Sequence, residues 1–138
     1  DVDNPVPSEK GIVCLYLNDA WHRMTLPSAE GDRAVDQLDV ARLSKAVLEP
    51  YLDITDPRRD PTIDFVGGIR GTGELEARVD TGGAEMAVSM HPTSVEELVA
   101  VADEGSLMPP KSTWFEPKLR SGLLVHDFSA DVPEGASV

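Results

Sequence analysis

The strongest constraint on the fold is a pair of short apolar segments joined by a two-residue polar turn near the start of the chain. The first segment, GIVCLYL (Gly11–Leu17), is apolar and partly β-branched, which predicts a strand. Asn18 and Asp19 are residues that favour turns. WHRMTL (Trp21–Leu26) alternates between two faces, one with Trp21, Arg23 and Thr25 and the other with His22, Met24 and Leu26. The sequence therefore predicts a β-hairpin, so the remaining elements have a sheet to pack against.

Three helices are predicted after the hairpin. Asp39 is placed to cap a helix that runs to about Tyr51, where Pro50 should weaken or end the last turn. Thr72 is placed to cap a short helix that stops at Gly82-Gly83. Thr93 and Ser94 precede a third helix that runs to about Glu104 and stops at Gly105. There Thr93 with Glu96, or Ser94 with Glu97, forms a capping box, and the apolar stripe is Val95, Leu98, Val99 and Ala102.

Three further strands are predicted between and after these helices, at Thr62–Val66, Ala84–Met90 and Gly122–Phe128. The resulting order is β-β-α-β-α-β-α-β. Strands that alternate with helices favour right-handed crossovers between parallel neighbours. We therefore predict an α+β (mixed α/β) fold in which an N-terminal β-hairpin is followed by β/α alternation, giving a mixed, partly parallel sheet with three helices.

One domain is predicted, at residues 11–128, between a flexible lead-in at 1–10 and a flexible tail at 129–138. The single cysteine, Cys14, excludes an intrachain disulfide, which fits a reducing compartment. No apolar run approaches the roughly 20 residues of a membrane helix, and the first ten residues lack the apolar region of a signal peptide. We expect a cytoplasmic protein with no membrane partner.

The charge balance bounds the choice of partners. With 25 acidic and 12 basic residues the formal net charge is −13, so the surface should repel nucleic acid. Few of the basic residues are lysines, and an acidic, lysine-poor surface is also typical of proteins from salt-loving organisms. An ordinary acidic cytosolic protein is the alternative.

Two phosphate-binding motifs are excluded by their details. KST at Lys111–Thr113 resembles the end of a P-loop, but Pro109 and Pro110 precede it where glycines and free N–H groups are needed. GGIRGTGE (Gly67–Glu74) resembles a dinucleotide fingerprint, but Glu76 stands where the third glycine belongs. What remains is a sharp turn with free N–H groups at a helix start, or a tight turn without further function.

The histidines and the cysteine give no pattern of metal ligands or nucleophiles. His22, His91 and His126 are scattered and there is no cysteine pair, so no metal site is predicted and no motif identifies a cofactor. His91 follows a predicted strand, a common position for site residues, although a capping or turn role is favoured. Cys14 lies in an apolar strand, which indicates an inert core thiol.

The segment MPPKSTWFEPKLRSGL (Met108–Leu123) is the one cationic region of an otherwise acidic chain. Its cations and hydroxyls suit a phosphate or carboxylate, because charged donors form strong hydrogen bonds to oxyanions. The predicted ligand-binding residues are Lys111, Ser112, Thr113, Lys118 and Arg120, with Arg70 from the glycine-rich turn. Trp114 and Phe115 either wall a pocket or anchor the loop to the core. The alternative is that these cations neutralise carboxylates within the fold.

These residues also carry a resemblance to a family. MPPKSTWFEPKLRSGL, together with HPTSVEELVAVADEGSL, YLDITDPRRDPTIDFVGGIRG and IVCLYLNDAWHRMTL, resembles the C-terminal part of the prokaryotic family known as domain of unknown function 1015. The resemblance covers roughly Gly11 to Phe128. Members of that family are several hundred residues long and carry an upstream D-G-H-H-R segment similar to that of ParB-like free-serine kinases, and they are often encoded beside serine-biosynthesis enzymes.

The resemblance implies phosphoryl chemistry on serine or phosphoserine. This chain contains no D-G-H-H-R, so we expect no turnover from residues 1–138 alone, and the resemblance assigns no catalytic residue. Two functions stay open. The chain is either the anion-binding part of a phosphate-handling enzyme, or a structural or association domain that supports a missing N-terminal half or forms a homo-oligomer.

The net charge leads to a prediction about salt. Carboxylates repel one another over about 30 Å at 0.01 M salt but over only about 3 Å near 1 M. We expect the melting temperature, followed by circular dichroism, to rise with KCl into the molar range. A flat or falling curve would remove both the self-repulsion argument and the inference of a saline origin.

Overall fold

The computed structural model describes Val2 and residues 4–113. The regular elements are, in chain order, strands β1 (Ile12–Leu17) and β2 (Ala20–Thr25), helix α1 (Asp39–Leu43), a π-helical turn (Ser44–Leu48), helix α2 (Glu49–Leu52), a 3₁₀ turn (Gly68–Arg70), helix α3 (Gly71–Asp80), strand β3 (Ala87–Met90) and helix α4 (Val95–Asp103). The predicted strand Gly122–Phe128, the residues Trp114 and Phe115, and the tail at 129–138 lie outside the described residues.

The predicted hairpin is confirmed. β1 and β2 pair antiparallel from Ile12 opposite Thr25 to Leu17 opposite Ala20. The two residues between them, Asn18 and Asp19, have φ values of 52° and 59°. Positive φ at both central residues is the signature of the tight turn whose twist matches that of paired strands. Asn and Asp tolerate this conformation better than most residues, which is why the local sequence predicts it.

The prediction of a partly parallel sheet is wrong. The sheet has three strands in the order β2-β1-β3, and β1 is antiparallel to both neighbours. β3 pairs with the opposite side of β1, with Val13 opposite Met90 and Tyr16 opposite Ala87. The fold is α+β, but no crossover between parallel strands occurs within the described part of the chain, since the helices connect β2 to an antiparallel partner of β1.

The absence of the strand predicted at Thr62–Val66 accounts for the difference between the predicted and the observed sheet. Thr62–Val66 forms no strand. The Asp60 carboxylate accepts hydrogen bonds from the amide and hydroxyl of Thr62, and the Asp64 carboxylate accepts one from the amide of Phe65 at 2.7 Å. Such local bonds between side chain and backbone compete with strand pairing. The strand predicted at Ala84–Met90 is likewise shorter and begins at Ala87.

The first helical stretch ends at Leu52, close to the predicted end at about Tyr51, and Pro50 lies inside its last turn. Its middle turn is π-helical, and the amide of Glu49 donates to the carbonyl of Ser44, five residues earlier. A proline in a helix lacks an N–H and crowds the carbonyl four residues before it. The wider turn accommodates Pro50, and the C-cap of the helix is Asp53, whose φ is +56°. Asp39 is also not the cap, because Leu38 occupies that position.

The other two helices differ in how well their starts are predicted. Ser94 and Glu97 form the predicted capping box of α4. Thr72, however, lies inside α3, which begins at Gly71 with no side-chain cap.

The predicted apolar stripe of α4 is only partly buried. Val95 and Val99 are 68% and 49% exposed, whereas Val101 is 1% exposed. The Glu104 carboxylate, one turn after Val101, accepts the amide of Ala34 at 2.7 Å. This contact turns the Val101 face of α4 toward the chain before α1.

The two faces of the sheet carry separate cores. Val13 packs with Leu26, Leu43, Leu48 and Ile54. Leu43 and Leu48 belong to the helical residues 39–52, which we call the α1–α2 stretch, and Ile54 follows directly after it. On the opposite face the core consists of Cys14, Tyr16, Trp21 and Ala87, with Leu75 and Val79 of α3 packed against them. Adjacent residues of a strand point to opposite faces, so the fully buried pair Val13 and Cys14 places β1 between two helical layers.

Polar contacts fix α3 on its face of the sheet. The Tyr16 hydroxyl donates to the Asp80 carboxylate at 3.0 Å, and the Trp21 indole N–H donates to Glu76 at 2.7 Å. The two rings also pack against each other, with centroids 5.1 Å apart. Each aromatic ring therefore contributes apolar area to the core and a donor to the helix.

A buried carboxylate fixes the helical layer on the other face. Asp39 is 8% exposed, and its carboxylate accepts the backbone N–H of Gly11 at 2.7 Å and the Arg42 guanidinium at 2.8 Å. Arg42 also donates to the carbonyls of Leu26 and Pro27 at 2.9 and 2.8 Å. The start of β1 and the end of β2 are thus both bonded to α1, an arrangement we call the Asp39–Arg42 clamp.

Gly11 is part of this clamp for a conformational reason. Its φ is +85°, and a Cβ there would lie 3.3 Å from a nitrogen of the Arg42 guanidinium. Only glycine combines this backbone conformation with so close an approach.

Removing one member of the clamp should destabilise the fold strongly. Asp39→Ala leaves the Arg42 guanidinium and the Gly11 amide without their acceptor, and breaking a buried ion pair in this way costs about 3 kcal/mol or more. Urea denaturation followed by tryptophan fluorescence measures the change in the free energy of unfolding.

Lys45→Ala is the matched control. Lys45 forms an exposed ion pair with Glu49 at 2.8 Å, and such pairs contribute about 0.5 kcal/mol or less. Equal losses in the two variants would show that Asp39 and Arg42 do not hold the layers together.

Candidate functional site

A cleft of about 860 Å³ runs along the edge of β3 that faces away from β1. Val88, Ser89 and Met90 all line it. Consecutive strand residues point to opposite faces, so three in a row mark the edge of the strand and not one of its faces. We call this space the β3-edge cleft. The cleft is also lined by the glycine-rich turn before α3, the start of α4 and the loop that contains Lys111.

The glycine-rich turn brings backbone groups to the cleft. Gly67, Gly68, Gly71 and Thr72 line it. Gly71 has φ +69°, which favours glycine, whereas a Cβ on Gly68 would meet nothing within 4 Å. Helix α3 begins at Gly71 without a side-chain cap. The first N–H groups of a helix lack intrahelical partners and carry a partial positive charge, so an uncapped start is suited to an anion.

Lys111 lines the same cleft as this turn, in a conformation that is uncommon for its residue type. Its φ is +57°, in the left-handed region that lysine seldom adopts. The flanking turn is held by the Ser112 hydroxyl, which donates to the Pro109 carbonyl at 2.7 Å. The Thr93 hydroxyl in turn donates to the Ser112 carbonyl at 3.0 Å. These bonds fix the loop against the start of α4, so the backbone at Lys111 is held in place.

Three of the predicted binding residues, Lys111, Ser112 and Thr113, line the cleft. Among residues 2 and 4–113, the ion pairs within 4 Å involve seven other cations, namely Lys10, Arg33, Arg42, Lys45, Arg59, Arg70 and Arg78. The Lys111 amine is therefore not used by a carboxylate of that part of the chain.

The other predicted cations are placed differently. Arg70 does not line the cleft; its guanidinium lies 3.5 Å from the Glu74 carboxylate and its side chain is 61% exposed. The charge of Arg70 is thus paired with a carboxylate of α3, as expected if the predicted cations neutralise carboxylates within the fold. Lys118 and Arg120 lie outside the described residues.

The start of α4 is already occupied by its own side chains. The Ser94 hydroxyl accepts the Glu97 amide at 3.2 Å, and the Glu97 carboxylate accepts the Ser94 amide at 2.9 Å. Glu97 also pairs with Lys10. This helix start is therefore neutralised, and α3 supplies the uncapped N–H groups at this end of the cleft.

One arginine, Arg78, forms ion pairs with two carboxylates at or near the cleft. Arg78 pairs with Asp64, which lines the cleft, and its Nε lies 3.0 Å from the Glu74 carboxylate. The hydrogen bond from Arg78 lowers the pKa of Glu74. The pKa of Asp64 is lowered first by the backbone N–H of Phe65 and then by Arg78. This pairing offsets the negative charge that would otherwise oppose an anion here.

The cleft continues into an apolar groove of about 760 Å³, with which it shares Val88, Met90 and Pro110. The groove is lined mainly by apolar side chains, among them Leu43, Leu48, Ile54, Ile63 and Phe65. The site thus has a polar end at Lys111 and an apolar end beneath the α1–α2 stretch.

The sequence indicates the glycine-rich turn and the lysine loop separately, but not that they line the same cleft. His91 and Thr93 also line the cleft. The sequence indicates His91 by its place after a strand, whereas it indicates Thr93 only as a helix cap.

In the part of the chain described here, no group of three or more His, Cys, Asp or Glu side chains is arranged to hold a metal ion. Over the same residues, no helix has the length and apolar character needed to cross a bilayer. No family model, curated protein or solved structure matches the chain.

The Arg78 cluster predicts part of the acid dependence of stability. Because folding lowers the pKa of Glu74 and of Asp64, their stabilisation is complete above the unfolded values near about 4 and is lost as the pH falls through the lower folded values. Arg78→Leu should therefore flatten the loss of stability on the acid side, measured by urea denaturation between pH 5 and 3.

The control for this experiment is Arg58→Leu. It removes the same charge from a residue that makes no ion pair within residues 4–113. If both variants change the acid profile equally, the effect is one of net charge and not of the Arg78 contacts.

Proposed function

We propose that this chain binds a phosphate-bearing small molecule at the polar end of the β3-edge cleft. The observation that carries the proposal is that the Lys111 loop and the uncapped start of α3 line the same cleft. The loop supplies the Lys111 amine and the Thr113 hydroxyl, since the Ser112 hydroxyl already donates to Pro109, and the start of α3 supplies backbone N–H groups. Both kinds of donor suit an oxyanion, and neither suits a cation.

A phosphate fits this arrangement better than a halide. Its oxygens can accept several hydrogen bonds in different directions, whereas a halide gains only from the charge. The donors come from two elements held by separate contacts, since α3 is bonded to Tyr16 and Trp21 and the loop is bonded to Thr93. Donors that are already held in place lose little conformational freedom when a ligand binds. The favoured ligand is therefore the one that accepts hydrogen bonds from most of these donors.

The resemblance to the domain of unknown function 1015 family supports a narrower choice, serine or phosphoserine in phosphoryl chemistry. A cytoplasmic location belongs to the same proposal and is supported by the buried, unpaired thiol of Cys14. Residues 1–138 alone are proposed to bind without turnover.

A second candidate is a structural or association domain. It is favoured by Arg70, whose guanidinium pairs with its own helix, and by the exposed apolar side chains Ile69, Val95 and Leu107, which are 79%, 68% and 80% exposed. On this view the cationic segment pairs with carboxylates of the chain or of a partner.

Titration with inorganic phosphate, followed by amide NMR at constant ionic strength, distinguishes the two. We expect a dissociation constant on the order of 1 mM, equivalent to about −4 kcal/mol, with shifts at Gly68–Thr72 and Lys111–Thr113. Lys111→Ala should remove most of the shifts. Arg120→Ala should do the same if the rest of the cationic segment joins the site.

The matched control is Lys45→Ala, which removes an amine from the α1–α2 stretch and should leave phosphate binding unchanged. Chloride at the same ionic strength should give no shifts at these residues. Equal shifts with chloride, or unchanged binding in Lys111→Ala, would favour the association domain.

A further inference from the structure

The apolar groove joins the β3-edge cleft through a shared wall. The residues common to both cavities include Phe65, Leu75, Val88 and Met90. The groove measures about 760 Å³, within the range of about 300–1,000 Å³ that is typical of small-molecule pockets. A ligand whose phosphate lies beside the Lys111 loop therefore has an adjoining space for its organic part.

The surface of the groove is suited to hydrocarbon. Leu43, Leu48 and Ile54 line it and are only 5–7% exposed. Leu52 and Phe65 line it as well, but they are 46% and 37% exposed. Apolar side chains that remain exposed within a cavity are removed from water when an apolar ligand covers them, which favours binding of such a ligand.

The cations of the groove already have partners. Among residues 4–113 three cations line it, and each forms an ion pair with a carboxylate. The pairs are Arg42–Asp39, Lys45–Glu49 and Arg78–Asp64. A carboxylate on the organic part of the ligand would have to compete with an existing pair, whereas hydrocarbon leaves all three pairs intact.

We propose that the ligand of this site is a soluble phosphate monoester whose organic part is apolar and lies in the groove. This inference rests on the proposed phosphate site and names its ligand class. It differs from the choice that the resemblance supports, because phosphoserine carries an ammonium and a carboxylate where this ligand carries hydrocarbon. We choose a soluble ester over a membrane lipid because a chain of net charge −13 is repelled by anionic bilayers.

Titration with methyl phosphate and hexyl phosphate at constant ionic strength, followed by amide and methyl NMR, tests this inference. Each buried methylene strengthens binding by up to about fourfold, so the dissociation constant should fall about tenfold or more from the methyl to the hexyl ester. Both esters should shift the amides of Gly68–Thr72 and Lys111–Thr113. Only hexyl phosphate should also shift the methyl groups of Leu48, Ile54 and Ile63.

Phe65→Asn replaces an apolar residue at the wall that the two cavities share. It should reduce the difference between the two esters to about threefold or less, because part of the hydrocarbon then contacts a polar side chain. Tyr51→Asn is the matched control, since Tyr51 is an aromatic residue that is 79% exposed and lines neither cavity. An equal reduction in both variants would overturn the assignment of the groove.

The outcomes separate this inference from the proposed function. Equal dissociation constants for methyl and hexyl phosphate would overturn the inference and leave the phosphate site standing. Tighter binding of O-phosphoserine than of hexyl phosphate would do the same and would support the choice that the resemblance implies. If neither ester nor inorganic phosphate binds, the proposed function fails and the inference fails with it. Sedimentation of the protein with vesicles that contain phosphatidic acid would identify a lipid headgroup and overturn the choice of a soluble ester.

Discussion

The contact on which the rest of the structure depends is the buried ion pair between Asp39 and Arg42. The Asp39 carboxylate holds the amide at the start of β1, and the Arg42 guanidinium holds two carbonyls at the end of β2. A hairpin alone is marginally stable in water and needs a packed face. The clamp sets the position of the α1–α2 layer on one face, and Tyr16 and Trp21 set that of α3 on the other.

The cleft is a consequence of these two fixed layers. They extend past the edge of β3, so the space beside that strand is walled on both faces. At its polar end an uncapped helix start and Lys111 line the same cleft, within a chain of net charge −13. An acidic protein tends to repel anions at long range, so binding there must rely on close hydrogen bonds and not on a general positive field.

Local sequence signals predicted the hairpin turn and the capping box of α4, but not the starts of α1 and α3. The Asn18-Asp19 turn and the Ser94–Glu97 capping box depend on residues at most three positions apart. The direction of the sheet depends instead on the pairing of β1 with β3 across a long stretch of chain, for which the sequence has no local signal. The alternation of predicted strands and helices therefore favoured parallel strands. The hydrogen bonds that the Asp60 and Asp64 carboxylates accept from nearby residues were not predicted.

The same limit applies to the site. The composition of the sequence identified the cations near Lys111 but did not show which cations line a cleft. Arg70 and Lys111 are both cations, and only the folded structure shows that Arg70 pairs with Glu74 whereas Lys111 lines the cleft.

The most direct test is a crystal structure of the intact chain grown with phosphate. The account predicts phosphate between the Thr72 amide and the Lys111 amine, since the Gly71 amide already donates to the Gly68 carbonyl. A Lys111 amine bonded to a carboxylate of the chain, with no phosphate at the start of α3, would contradict it.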